Sequence, residues 1–137
     1  MTQMLDDTTR VSGQIRPEDV AAAAAAGVTM IVNNRPDGEE PGRPTGAAIA
    51  DAAAKAGIAY RHIPVEAGFE PAMVAAMGEA LDAGPALIFC KSGTRSAYLW
   101  ALARAKQGAD ADNLVRRAGQ AGYNVRPLLP WLRGEES

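Results

Sequence analysis

One cysteine, Cys90, and one histidine, His62, are all this 137-residue chain carries of those two types. A single thiol closes no internal disulfide, and a cysteine-based zinc site would lack ligands. No second thiol is present to resolve an oxidised Cys90 within the chain. Such usage fits a reducing cytoplasm best. Aromatics are scarce at 5% of residues, against abundant alanine and glycine, so close, helix-rich packing is expected. There is no basic block, and the net charge of −2 argues against a nucleic-acid partner. The longest weakly polar run, Val20 to Val32, is mostly alanine and is broken by Gly27 and Thr29. It is too short to span a bilayer, so no membrane contact is expected. Met1 to Arg10 is acidic and has no apolar core of the kind a signal peptide needs. Nothing in the composition calls for a cofactor or a resident metal.

What remains is an ordinary globular composition, 47% apolar and 22% charged, long enough for one core without staples. No repeat and no linker divides residues 1–137, so a single domain is expected, with residues 134–137 as a frayed tail.

Along the chain, strand and helix alternate. Val11 to Ile15 reads as a short strand. Pro17 opens a helix at a favoured first position, with Glu18 and Asp19 in its first turn, and Gly27 stops it after Ala26. The alanine run within it predicts a tight helix–sheet contact. Val28 to Val32 is an apolar strand. Asn33 to Thr45, with its prolines, glycines and charges, is a long loop. Thr45 caps a helix through Ala56, closed by Gly57. Ile58 to Ile63 is a strand, Pro64 to Glu70 a loop, and Pro71 to Ala83 a helix stopped by Gly84-Pro85. Ala86 to Phe89 is a buried strand. Helices follow over Ser96 to Gln107, Asp110 to Gly119 with Asp110 as cap, and Arg126 to Arg133, interrupted by Pro130. This alternation predicts a three-layer α/β fold, with a mostly parallel central sheet of four to five strands and helices on both faces.

Ligands of open α/β sheets bind beyond the carboxyl ends of the strands. Three loops meet at that rim: Asn33-Asn34-Arg35, Pro64 to Glu70, and Cys90 to Ser96. The last is the most informative stretch. A strand that runs into a polar, glycine-bearing turn and then a helix points backbone N–H groups at one spot, with the helix dipole behind them. A thiol at the mouth of such a cup is favoured as its thiolate. Gly93 permits the backbone angles that turn the N–H groups inward. Lys91 and Arg95 add positive charge, and Arg95 can grip two oxygens of an anion at once. Ser92 and Ser96 can donate hydroxyl hydrogen bonds to the thiolate or to the anion, and Thr94 completes the cradle. Cys90, Arg95 and Ser96 are therefore the candidate catalytic residues. Lys91, Ser92, Gly93 and Thr94 are the candidate anion-binding residues.

Cys-x-x-Gly-x-Arg-Ser after a strand resembles the active loop of rhodanese-type sulfurtransferases. It also resembles the phosphate loop of cysteine-dependent phosphatases, His-Cys-x(5)-Arg-Ser/Thr. The wider chain, from Ser12-Gly13-Gln14 through Ile31 to Glu39 and on to Trp100, resembles the bacterial phosphatase-like domain family of beta-lactamase hydrolase-like proteins. The motifs that carry this are Ser-Gly-Gln-Ile-x-Pro-Glu-Asp, Asn-x-Arg-Pro-Asp-Gly-Glu and Cys-x-Ser-Gly-Thr-Arg-Ser. The resemblance implies a cysteine-phosphatase-like fold of the dual-specificity type. Because some members are fused to metallo-β-lactamase-type persulfide dioxygenases, it also implies a persulfide dioxygenase or other sulfide-oxidation partner.

Two features favour sulfur transfer over phosphate cleavage. Four residues, not the phosphatase five, lie between Cys90 and Arg95, and Phe89 replaces the phosphatase histidine. The shorter ring suits one extra sulfur on cysteine. Expelling an alkoxide also needs a carboxylic acid, usually worth about a hundredfold or more. Phosphatases of this fold supply an aspartate from the loop that here is Pro64 to Glu70, where Glu66 and then Glu70 are the only substitutes. The expectation is thus a sulfurtransferase. In it, Cys90 takes sulfane sulfur from thiosulfate or glutathione persulfide, and passes it as a persulfide to a thiol, sulfite or cyanide. The alternatives are a phosphoester phosphatase working through phosphocysteine, and a non-enzymatic sulfur carrier or redox-sensing module.

Arg35 stands at a strand end and either reaches the anion or is a solvated charge; Asn33 shares that position. His62 reads as a strand-face histidine bonded to backbone, with a base as the alternative. Asp37, Glu39 and Glu40 read as a solvated, mobile loop, with a lid as the alternative. Tyr98, Leu99, Trp100, Leu102, Met73 and Met77 read as core. Trp131 reads as an anchor for the tail, with an exposed partner patch as the alternative.

Overall fold

The computed structural model describes residues 2–39 and 41–135; Glu40, Glu136 and Ser137, for which a loop and a frayed end are expected, lie outside the described residues. Five strands form one sheet in the order β1-β2-β5-β3-β4. They are β1 (Gln3–Asp6), β2 (Thr9–Ser12), β3 (Met30–Asn33), β4 (Ala59–His62) and β5 (Ala86–Phe89). All neighbouring pairs run parallel except β1 and β2, which form an antiparallel hairpin at one edge. The helices are α1 (Pro17–Ala25), α2 (Gly46–Ala56), α3 (Pro71–Asp82), α4 (Thr94–Lys106), α5 (Ala111–Gln120) and, after a 3₁₀ turn at Arg126–Leu128, α6 (Leu129–Leu132). The α/β fold with a mostly parallel sheet is as the alternation predicts.

Strand β1 is the element the sequence reading lacks. Gln3 and Met4 are exposed, so no apolar alternation announces it. Its turn does carry a local signal: the Asp6 carboxylate accepts from the Thr8 N–H at 2.9 Å, a side-chain turn that fixes the hairpin. The expected strand at Val11 to Ile15 lies earlier, at Thr9–Ser12, because its pairing with β5 ends at Ser12 opposite Phe89.

Alternate residues of the central strands point to opposite faces. Ile31, Leu87 and Phe89 pack with Val20, Ala23, Ile49 and Ala53 beneath α1 and α2. Met30, Val32, Ala86 and Ile88 pack on the other face with Met77, Leu81, Leu99, Trp100 and Leu114 from α3, α4 and α5. The alanine run of α1 does less against the sheet than expected. Of Ala21 to Ala26 only Ala23 is buried, and α1 makes its close contact with α2. Trp100 is buried, and its indole N–H donates to Asp6 at 2.8 Å, tying α4 to the hairpin. Trp131 is half exposed; Leu128 and Leu132 are the buried residues of the C-terminal segment.

Parallel register brings the carboxyl ends of three strands level: Asn33 lies opposite His62 on one side and Phe89 on the other. The loops after β3, β4 and β5 therefore open at one rim.

Candidate active site

Cys90 follows β5 directly and is fully buried. Two contacts hold its backbone from the β2 side. The Cys90 N–H donates to Ser12 O at 3.4 Å, and the Gln14 N–H donates to Lys91 O at 3.2 Å. Gly13 makes the second approach feasible, since a Cβ there would stand 2.9 Å from Lys91 O. Gly93 takes a left-handed φ of 95° and caps α4. Its N–H donates to Cys90 Sγ at 3.1 Å. Such a donor stabilises a thiolate more than a thiol, because the full negative charge is the better acceptor.

Arg95 lies in the first turn of α4. Its NH1 and NH2 donate to the two carboxylate oxygens of Glu39 at 2.7 and 2.9 Å, and NH1 also donates to Val65 O at 3.1 Å. The two-oxygen grip expected for a bound anion is thus made on a side chain of the protein itself. The bond to Glu39, and then the negative charge at Cys90, raise the Arg95 guanidinium further above its ordinary value. Arg35 comes from the other direction, after β3. Its side chain is 1% exposed, and its Nε donates to the same Glu39 oxygen at 2.7 Å while NH1 donates to Gln14 at 2.9 Å. Hydrogen bonds from Arg95 and, after opposing burial, from Arg35 hold the Glu39 carboxyl at about 2, far below the usual carboxylate range.

Glu39 is therefore neither loose nor merely solvated, which corrects the mobile-loop expectation for that residue. Asp37 is also engaged: its carboxylate accepts from the Gly46 N–H at the start of α2, at 2.9 Å. Asn33 accepts from the Arg35 N–H at 2.8 Å, and His62 Nε2 meets Arg35 O at 2.9 Å, the backbone bond expected of it. Together they fix the segment that carries Arg35.

The Ser96 hydroxyl does not face the thiol. It is buried and donates to Asn34 Oδ1 at 2.7 Å, while Asn34 Nδ2 donates to Ile63 O at 2.9 Å. This chain ties α4 to β3 and β4. The Ser92 hydroxyl donates to Thr94 Oγ1 at 3.1 Å, within the loop. Lys91 and Thr94 are exposed beside it. Glu66 and Glu70 are exposed on the loop after β4, and Glu66 is next to the Val65 carbonyl that Arg95 holds. Among the described residues no group of three His, Cys, Asp or Glu is placed to hold a metal ion. No helix among them is long and apolar enough to cross a membrane.

Sequence reasoning missed four contributors. Glu39 reads as solvated with a lid as the alternative, Asn34 and Gln14 lie in motifs without a role, and Tyr123, whose hydroxyl donates to Ser92 O at 3.1 Å, carries no signal at all.

A buried thiol at the carboxyl rim of a parallel sheet, with a main-chain N–H on its sulfur and arginine beside it, defines a protein of the cysteine-phosphatase-like α/β class. More narrowly, the chain belongs to the phosphatase-like domain family of beta-lactamase hydrolase-like proteins, whose profile matches residues 2–107. A beta-lactamase hydrolase-like protein of Xylella fastidiosa (strain Temecula1) is 34% identical over 133 residues, which are 94% of this chain and 31% of that protein. The chain spans about a third of the length of the curated relatives it matches. A candidate phosphatase of Neisseria meningitidis Z2491, known from its crystal structure, is 31% identical with a TM-score of 0.82. The match covers 98% of this chain and 97% of that one. TpbA of P. aeruginosa, solved in complex with pTyr, is alike in fold, with a TM-score of 0.65 at 21% identity over 98% of this chain and 88% of its own.

The family and the Neisseria meningitidis structure overturn the expectation of sulfur transfer: the family is phosphatase-like and that relative is a candidate phosphatase. The physical reason lies in what the loop count left out. Counting four residues between Cys90 and Arg95 treated the ring as the whole anion site. In the folded chain Arg35 enters from β3 and shares one carboxylate with Arg95, so the loop alone does not set the size or charge of the site.

Proposed function

We propose that this chain is a phosphomonoester phosphatase with Cys90 as its nucleophile. The observation that carries this reading is the convergence of Arg35 and of Arg95, itself beside Cys90, on a single carboxylate. Two guanidiniums that hold one oxyanion here are equipped to hold the oxygens of a phosphoryl group. The pTyr bound to the TpbA relative supports the same class of substrate.

In the first step Cys90 Sγ attacks phosphorus, and the ester P–O bond breaks as the S–P bond forms. The departing oxygen takes a proton from the Glu66 carboxylic acid. The charge that spreads over the phosphoryl oxygens is met by the loop N–H groups, Lys91, Ser92, Thr94, Arg95 and Arg35. In the second step Glu66, now ionised, accepts a proton from water, whose oxygen attacks phosphorus. The S–P bond breaks, releasing inorganic phosphate and the Cys90 thiolate. Because Cys90 has no exposed surface, side chains over the loop must part to admit the substrate.

Acid quenching during turnover of an aryl phosphate tests the reading, with intact mass as readout. The wild type is expected to show one phosphoryl adduct that maps to Cys90. Cys90→Ser should lose hydrolysis by about 10³-fold or more and Cys90→Ala should carry no adduct. Hydrolysis that survives in Cys90→Ser at the wild-type rate would overturn the assignment.

A further inference from the structure

Tyr123 lies between α5 and the 3₁₀ turn, beyond the residues matched by the family profile. It nevertheless sits on the Cys90 loop. Its hydroxyl donates to Ser92 O at 3.1 Å. A Cβ added at Gly93 would collide with that hydroxyl and stand 2.7 Å from Cζ of the ring. The phenol thus fills the space a side chain at position 93 would take.

The Ser92 carbonyl and the Gly93 N–H belong to one peptide unit, and in a trans peptide they point in opposite directions. This unit accepts from Tyr123 on one side and donates to Cys90 Sγ, 3.1 Å away, on the other. Glycine adopts either sign of φ at little cost, so the unit can turn over unless something holds it. Turned over, it would present a carbonyl oxygen to the sulfur in place of the N–H, and a thiolate is repelled by that oxygen.

We propose that Tyr123 is a positioning residue that locks the Ser92–Gly93 peptide with its N–H on the Cys90 sulfur and so keeps a hydrogen-bond donor on the nucleophile. Burial, and then the negative charge at Cys90, push the Tyr123 phenol above its ordinary value of 10.0, so it remains a donor across the neutral range. The other charged groups around the loop are Lys91 and Arg95 upon it and Arg35 and Glu39 across from it, and a change at Tyr123 leaves all four in place.

The inference rests on Cys90 as the nucleophile, but its test needs no phosphatase turnover. Alkylation of Cys90 by iodoacetamide, followed by intact mass in wild type and Tyr123→Phe, isolates the hydroxyl while keeping the ring; a thermal melt checks the fold. At about pH 6.5 the variant is expected to react about 3- to 10-fold more slowly, the effect of one ordinary hydrogen bond. At about pH 9.5, above the roughly 8.5 at which a free thiol ionises, the two rates should converge. Equal rates at both pH values would overturn the lock. So would slowing by the same factor at both, which would mean that the hydroxyl affects access to the loop and not the donor on sulfur. Either result leaves the phosphocysteine experiment free to stand or fall by itself.

Discussion

At the scale of single residues, the Glu39 carboxylate decides how the two arginines stand. Arg95 donates to both of its oxygens and Arg35 to one. Without it, two guanidiniums facing one spot repel each other, and Arg95, about a quarter exposed, would be left with its bond to Val65 O. The price of this arrangement is that Glu39 must stay ionised, and at about 2 it does so at any ordinary pH. The sign follows from linkage. A carboxyl depressed from 4.5 to about 2 on folding adds stability that is complete above 4.5 and is lost as pH falls through about 2. The carboxylate keeps contact with water, so the effect is modest. Glu39→Gln is expected to melt about 2–4 °C below wild type at neutral pH, with the gap constant down to about pH 5 and closing toward pH 2. Melting curves across that range check it; a gap that widens with acid would show that the arginines are held by something else. The motif Asn-x-Arg-Pro-Asp-Gly-Glu ends on Glu39, but nothing local in it names a partner on α4. Arg35 and Glu39 share a loop, but Arg95 is 56 residues further on from Glu39, and only the level ends of β3 and β5 bring them together. Cys90 to Ser96 was legible for the opposite reason: strand, glycine turn and helix are consecutive, so local sequence carries the turn and its thiol, though not the direction of the Ser96 hydroxyl.

Among the elements, the connection from β4 to α3 is held by hydrogen bonds at its start and by packing of Phe69 on Tyr98 further on. The Ile63 N–H donates to Asn33 O, the Val65 N–H to Asn34 O, and Val65 O accepts from Arg95. Glu66 emerges from the last anchored residue, at the rim. Glu70 is the N-cap residue of α3, with its carbonyl bonded to the Val74 N–H, and belongs to the helix. In the proposed mechanism that difference favours Glu66 over Glu70 as proton donor. An acid matters most when the leaving oxygen is poor. Glu66→Gln should therefore lower kcat for phenyl phosphate by about a hundredfold, but for a much more acidic leaving group such as a fluorinated coumarin phosphate by less than about tenfold, while Glu70→Gln should alter neither by more than about twofold. Equal losses on both substrates in Glu66→Gln would remove it from the acid role. The sequence reading placed both glutamates on this loop, since Pro64 and Pro71 bracket it. It had no means to see that hydrogen bonds to β3 and α4 end at Val65. The same limit explains the missed β1, whose outward Gln3 and Met4 leave no apolar period to read.

For the whole molecule, the helices after residue 107 lie outside the family profile yet inside the core. Leu114, Val125, Leu128 and Leu132 are buried with Trp100 and Leu99 of α4 and with Leu5 of the β1 hairpin. The alignment to the Neisseria meningitidis structure covers 98% of this chain, so these helices are part of the shared fold. Burying four such side chains contributes roughly 6–12 kcal/mol at about 1.5–3 kcal/mol each, which is as large as the roughly 5–15 kcal/mol net stability of a typical domain. A chain cut after Gln107 therefore loses more than a surface layer. It uncovers one face of α4, the helix whose N-terminus carries Arg95 and whose cap is Gly93, and it removes Tyr123 from the Ser92 carbonyl. Residues 1–107 alone are expected to show no cooperative thermal transition by circular dichroism, whereas the full chain melts in one step. A cooperative melt of the 1–107 fragment would mean that β1 to α4 close a core without α5 and α6, and that the C-terminal helices serve the loop but not the fold.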